Sequence, residues 1–222
     1  GLTGWKKLNF NLKGNLKLIS GKRIKSPSTQ TTRPTTSKVR EAIINILGKN
    51  LEEASWLDLC SGSGVMACEA IQQGVKRILA IEKHRETAKI CKKNLIDSSI
   101  SLDHPFHIEV ICKELISLLK KGPKNKKINF ITDFPNAEEK FDFVFLDPPY
   151  DSKLYELSQE LLLSKLWIKK SSTLILECSS KSPPKINNSW KLNKVKYYGN
   201  TSLIILTPNQ ALNCFDDTDS MH

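Results

Sequence analysis

From Ser55 onward, short apolar runs alternate with stretches whose apolar residues recur at helical spacing. Trp56 to Cys60, Arg77 to Glu82, Phe106 to Cys112, Phe141 to Leu146 and Thr173 to Cys178 read as buried strands. Met66 to Gln73, Arg85 to Ile96, Glu114 to Lys120 and Leu154 to Leu163 read as the intervening helices, and Lys194 to Tyr198 with Leu203 to Thr207 as a closing strand pair around Gly199-Asn200. Alternation of this kind predicts an α/β fold with a mostly parallel sheet and helices on both faces. Ahead of it, Leu16 to Lys25 alternates and turns like a small hairpin with a cationic tip. A loop rich in hydroxyls and proline, Ser26 to Thr36, then leads to a helix with Val39, Ile43, Ile46 and Leu47 on one face and Gly48 as its stop. The expected division is a basic tail over 1–14, a hairpin and helix over 15–48, one large domain over 49–208 and a frayed tail over 209–222. Lys121 to Lys127 is expected as a solvated basic loop, with Phe130 to Glu139 a connector of unassigned conformation.

Charge sharpens this picture at one end. The 222-residue chain carries a formal +11, and residues 1–40 hold ten Lys or Arg and no Asp or Glu. Subtraction leaves 34 − 10 = 24 basic against 23 acidic residues in the remainder, about +1. A basic extension on a near-neutral body suits a phosphate backbone, with Lys22, Arg23, Lys25 and Arg33 as the candidate contacts. A membrane surface is disfavoured, because no apolar helical face accompanies the charges and no run reaches spanning length. The six cysteines form no C-x-x-C pair, which points to reduced thiols in a cytoplasmic protein, and the four histidines assemble no metal set.

Two segments carry candidate chemistry. Leu57-Asp58-Leu59-Cys60-Ser61-Gly62-Ser63-Gly64 ends one apolar strand and opens a helix, while Glu82 closes the next strand twenty residues after Gly62. Glycines allow the backbone close to a ligand, and the acid is placed for ribose hydroxyls. The spacing also satisfies a dinucleotide pattern, but Asp58 within the turn repels a pyrophosphate and attracts a cationic sulfonium or amino group, favouring S-adenosylmethionine over NAD. Glu114 serves either the adenine amine or its own helix N-terminus. The second segment is Phe141 to Leu146 running into Asp147-Pro148-Pro149-Tyr150. The Asp147 carboxylate and Pro148 carbonyl offer two acceptors for the hydrogens of an exocyclic amine, and Tyr150 a ring to stack on its base. A stiff strand exit is the plain alternative.

Taken in order, Leu18-Ile19-Ser20-Gly21-Lys22, Arg33-Pro34-Thr35, Val39-Arg40-Glu41-Ala42, the Asp58 to Gly64 turn, Glu82-Lys83 and Asp147-Pro148-Pro149-Tyr150 resemble the RsmD-type methyltransferases, which modify the N2 amine of one guanine in bacterial small-subunit ribosomal RNA. The resemblance covers Leu16 to about Ser179. It implies a Rossmann-like class I S-adenosylmethionine-dependent fold with a seven-stranded sheet ending in an antiparallel hairpin, here Val195 to Leu206. It further implies cofactor contacts from Asp58, Cys60, Ser61, Gly62, Gly64, Glu82, Lys83, Glu114 and Asp147, with no metal. Catalysis would fall to Asp147, Pro148 and Tyr150, and substrate contacts to Lys22, Arg23, Lys25, Arg33, Pro34, Thr35, Arg40, Pro149 and Tyr150. Cys60-Ser61 stands where the family more usually has Phe or Tyr followed by Ala, and Glu114 where Asp is common. The expected partner is 16S ribosomal RNA or a small-subunit assembly particle, met by a monomer. The alternatives are a DNA adenine-N6 methyltransferase and a non-catalytic RNA-binding protein that retains the fold.

Overall fold

A computed structural model describes residues 16–27, 34–103, 106–123, 140–149 and 152–210. A two-stranded hairpin, β1 (Leu16–Lys17) and β2 (Arg23–Ile24), is followed by α1 (Ser37–Leu47) and a short 3-10 turn over Gly48–Leu51. The main body then runs β3 (Ser55–Asp58), α2 (Val65–Gln72), β4 (Arg77–Ile81), α3 (Arg85–Ser99), β5 (His107–Ile111), α4 (Leu115–Lys121), β6 (Phe141–Leu146), α5 (Ser152–Ser164), β7 (Ile168–Ser179), β8 (Trp190–Tyr198) and β9 (Thr201–Pro208).

Seven strands form one sheet in the order β5-β4-β3-β6-β7-β9-β8. The strands from β5 to β7 are parallel, and β9 pairs antiparallel with both β7 and β8. Side chains alternate across the sheet into two cores. Trp56, Phe143, Phe145 and Ile175 pack with α1, α2 and α3 on one face, through Ile43, Ile71 and Leu95. Leu57, Leu79, Val144 and Leu174 pack with α4 and α5 on the other, through Leu119 and Leu162. Strand order reverses between β3 and β6, so a crevice opens beyond their C-terminal ends, where open α/β sheets bind ligands.

Two strands are longer than the apolar pattern indicates. β7 begins at Ile168 rather than Thr173, because Ser172 Oγ donates to Phe141 O (2.7 Å) and accepts from Lys169 N (2.8 Å), carrying the strand across a shift of register between Phe141 and Phe143. β8 begins at Trp190 rather than Lys194, and its irregularity between Leu192 and Lys194 hides the alternation.

The hairpin is tied to the body by buried polar groups. Arg40, on α1, is 3% exposed; its Nε pairs with Glu69 Oε2 of α2 at 2.8 Å, its Nη1 donates to Thr35 O (2.6 Å) and its Nη2 to Lys17 O (2.6 Å). The same Glu69 carboxylate accepts from Ile19 N at 3.0 and 3.2 Å. Arg40 was expected to contact substrate; its Nε, Nη1 and Nη2 each donate to an internal acceptor, which turns the guanidinium toward the body of the fold. On α3, Asn94 Nδ2 donates to Lys25 O (2.8 Å) and Ser63 O (2.9 Å), while its Oδ1 accepts from Lys25 N (2.8 Å). Lys22 Nζ donates to Asp97 O.

Removing one partner of a buried ion pair strands the other's charge. Arg40→Ala is therefore expected to cost about 3–5 kcal/mol of stability, read as a lowered urea midpoint, whereas a loss below about 1 kcal/mol, the range of an exposed pair, would show that Glu69 finds other compensation.

Candidate active site

The turn after β3 shapes the first half of the site. Ser61 N donates to Ile81 O (2.9 Å) and Gly64 N to Ser61 O (2.7 Å), folding the chain back over the end of β4. Gly62 and Gly64 both adopt positive φ, +53° and +82°. At Gly64 a Cβ would also sit 2.8 Å from Cys91 Sγ, so the turn demands glycine there twice over. Gly64 is the N-cap of α2 and no side chain caps that helix, whose leading N–H groups are therefore available at the crevice.

Asp58 closes β3 beside this turn. It is 1% exposed, and its Oδ1 has no hydrogen-bond partner among the described residues. Burial above all pushes its carboxyl up to about 7; the Trp56 indole, whose Nε1 makes no well-formed hydrogen bond, and the Cys60 backbone N–H offset part of that rise. A buried carboxylate oxygen without a donor is costly unless a cation meets it. Glu82 follows β4 at the same end of the sheet, half-buried, its Oε2 accepting from His84 N at 3.3 Å.

Asp147 leaves β6 directly across the crevice, half-buried, with Pro148 buried and Pro149 exposed behind it. Its neighbour in the sheet is an acid that spacing in sequence does not reveal. Leu146 pairs with Leu176 in the β6–β7 register, so Asp147 and Glu177 come next on adjoining strands. Their carboxyls lie close enough that each shifts the titration of the other. Burial first, then Glu177 and Asp58, raise the Asp147 carboxyl well above the usual range. Burial also raises Glu177, against the Thr35 hydroxyl, the Asp147 carboxyl and the charge of Arg40. Thr35 Oγ1 donates to Glu177 Oε2 at 2.9 Å, which brings the loop before α1 into the site. Tyr155 of α5 fixes the backbone beneath, its hydroxyl donating to Glu177 O (2.6 Å).

The other expected residues sort by position. Cys60, Ser61, Gly62 and Gly64 form the turn, and exposed Lys83 follows Glu82. Glu114 is the N-cap of α4, its two carboxylate oxygens accepting from Ile116 N and Ser117 N at 2.9 Å each. Those bonds hold Glu114 below its ordinary value although burial opposes them, and they are the helix-capping one of its two expected roles. Arg23 and Lys25 are exposed on the hairpin, and Pro34 is half-buried beside Thr35. Arg33 and Tyr150 lie outside the described residues.

With this geometry in place, relatives can be compared. The family described as conserved hypothetical protein 95 matches residues 16–207. The chain belongs to this RsmD-type family. It is 31% identical over 187 residues to the ribosomal RNA small subunit methyltransferase D of Buchnera aphidicola, covering 84% of this chain and 86% of that protein. The solved structure of yhhF from Escherichia coli shares the fold with a TM-score of 0.67 at 23% identity, covering 85% of this chain and 92% of that one. An RNA methyltransferase from Salinibacter ruber, solved in complex with S-adenosyl-L-homocysteine, does so with a TM-score of 0.54 at 15% identity, covering 81% and 96%. The RsmD-type fold is thus the Rossmann-like methyltransferase fold, its sheet closed by the β8–β9 hairpin and preceded by the small N-terminal one. Among the described residues no helix is long and apolar enough to cross a membrane, and no three His, Cys, Asp or Glu side chains gather as metal ligands. The described cysteines are all free thiols.

The Asp58 environment makes a signed prediction for the ligand-free protein. Its folded carboxyl keeps a proton up to about 7, whereas the unfolded one loses it near 3.8. The contribution to stability is whole below the unfolded value and is lost as pH rises through the folded one. Asp58→Asn should flatten the fall in stability between about pH 4 and pH 7, and urea titrations with equal slopes for both proteins would show instead that Asp58 titrates normally.

Proposed function

We propose that this chain transfers a methyl group from S-adenosylmethionine to the exocyclic N2 amine of a guanine in 16S ribosomal RNA, acting as a monomer in the cytoplasm. The observation that carries the reading is the pairing of a buried Asp58, whose Oδ1 has no donor among the described residues, on one side of the switch-point crevice with Asp147-Pro148 on the other. Bound there, S-adenosylmethionine supplies a methyl group activated by positive sulfur.

The chain's own residues provide the rest. Asp58, whose Oδ1 has no donor among the described residues, meets the positive charge of the ligand's amino acid portion, which lets the carboxyl ionise at that depth. Gly62 and Gly64 let the ligand close to the backbone, and Glu82 receives ribose hydroxyls. Asp147 and the Pro148 carbonyl accept from the two hydrogens of the amine, and Tyr150 stacks on the base. A guanine amine is poorly nucleophilic because its lone pair is delocalised, so the catalytic contribution is positioning and electrostatic. The base must leave its helix or come from a loop to reach such a crevice. Arg23 and Lys25, exposed on the hairpin, hold flanking phosphates. The ribosomal RNA named for the Buchnera relative supports this substrate class.

Labelled methyl transfer to naked rRNA, 30S particles and duplex DNA tests the assignment. Label in one guanine of 16S rRNA is expected, and label in DNA adenine alone would replace the reading with the N6 alternative. Asp147→Ala should lower turnover at least about 100-fold while S-adenosylhomocysteine affinity stays within about threefold, less than 1 kcal/mol; normal turnover would remove Asp147 from the site.

Cofactor binding should also be linked to protons. A cationic ligand favours ionised Asp58, so binding below about pH 7 releases a proton, and affinity should fall up to about tenfold per pH unit as acid is added. Calorimetry in buffers of different ionisation enthalpy measures that proton, and Asp58→Asn should remove most of it. An unchanged proton count in the variant would assign the linkage to another group.

A further inference from the structure

Glu177 has no part in the methyl-transfer reading given above, yet it is built into the same crevice. It stands one strand from Asp147 in register, 8% exposed, with Thr35 Oγ1 at 2.9 Å and its own carbonyl fixed by Tyr155. Two carboxyls side by side on adjoining strands at this depth share a proton, because both cannot readily be charged at once. The surroundings decide where it rests. Thr35 donates to Glu177, and the Arg40 guanidinium favours charge there, whereas Asp147 faces the negative side of Asp58. The resting arrangement is therefore an Asp147 hydroxyl donating to a Glu177 carboxylate. The second oxygen of Asp147 remains free as an acceptor.

We propose, resting on the methyltransferase reading above, that Glu177 is a positioning residue and proton store for that reaction: it orients Asp147 toward the amine and receives the proton that the amine gives up. In the step, the nitrogen lone pair forms the new N–C bond as the S–C bond breaks with its electrons left on sulfur, and nitrogen sheds one proton. That proton passes to the free Asp147 oxygen as the Asp147 hydroxyl proton passes to Glu177, leaving the pair with two protons in place of one. One of them leaves to water when product departs. Among the described residues, the other titratable or charged groups facing the pair are Arg40 from α1, Asp58 from β3, Cys60 from the glycine turn, Tyr155 from α5 and Cys178 from β7. Burial raises the Cys60, Cys178 and Tyr155 groups, which leaves them neutral around pH 7 and unable to take the proton.

A residue that merely held the Thr35 loop would act on stability and binding. A proton store acts on kcat and its pH dependence. Glu177→Gln keeps the size and an acceptor toward the Asp147 hydroxyl but cannot take a proton; it should lower kcat about 100-fold, the low end of general acid–base effects, with S-adenosylhomocysteine affinity and the RNA KM within about threefold, less than 1 kcal/mol. The acidic limb of the kcat profile, set in the wild type by the second proton entering the pair, should move to lower pH, and Glu177→Asp should restore part of the rate. Thr35→Val, which deletes only the hydroxyl donor, supplies an independent arm should Glu177→Gln unfold, and is expected to lose rate severalfold with a displaced limb. An unaltered kcat profile in either variant, or a loss confined to KM and melting temperature, overturns the proposal while an active wild type leaves the methyltransferase reading standing. A wild type that methylates neither rRNA nor 30S particles overturns both.

Discussion

The buried Arg40–Glu69 pair is the constraint on which the geometry of the crevice depends. Two charges at 3% and 1% exposure would be destabilising if left unmatched, and the match extends beyond the pair itself. The guanidinium fork reaches Lys17 O and Thr35 O as well as Glu69, while Glu69 also receives Ile19 N. A planar group with several fixed donors suits this, since a lysine at position 40 could meet one or two of these acceptors but not all from one place. The hairpin, the loop before α1 and helix α2 are locked to a common centre as a result. Because α2 starts at Gly64, the turn that opens the crevice shares that centre, and because Thr35 is held through its carbonyl, its hydroxyl is aimed at Glu177.

Charge is arranged in opposite senses at the rim and at the centre. Exposed Arg23 and Lys25 stand on the hairpin, while Asp58, Asp147 and Glu177 gather where the strand order reverses. Burial raises each of those acids, so without a cation the centre favours bound protons over negative charge. A phosphate backbone is attracted at the hairpin and repelled from the crevice. A ligand with positive sulfur and a positive amino group is welcomed by the crevice and displaces protons from it. The two partners of a methyl transfer to RNA therefore select different regions of one surface by sign alone.

The fold was legible wherever hydrophobic period and turn residues agreed. β3, β4 and β6 are apolar runs ending in acids or glycine, and α1 carries its Thr36 cap and Gly48 stop openly, so both type and order could be read. The first half of β7 and the start of β8 could not be, because Ser172 and Asn193 interrupt the period at irregularities that only strand pairing explains. In the site, the glycine turn and Asp147 were legible as local motifs. Arg40 reads as a phosphate contact because it is a basic residue inside a basic segment, and its buried ion-pair partner, Glu69, lies twenty-nine residues on where no local spacing reveals it. Glu177 was missed for a related reason: a single acid at the end of an apolar strand has no partner at any local spacing, and its partner, thirty residues earlier, is defined by the register of neighbouring strands.

Asn94 carries the coupling one step further. Fully buried, it joins both backbone groups of Lys25 to the carbonyl of Ser63 inside the glycine turn. The exposed cation of the hairpin is thus one amide away from the backbone of the glycine turn. Each of these hydrogen bonds is satisfied without a ligand, and breaking one would leave a buried amide or carbonyl unpaired, at a cost of about 1–3 kcal/mol. The link is accordingly stiff. Contact at the hairpin has no slack through which to remake the turn, so the hairpin and the glycine turn are pre-organised relative to one another.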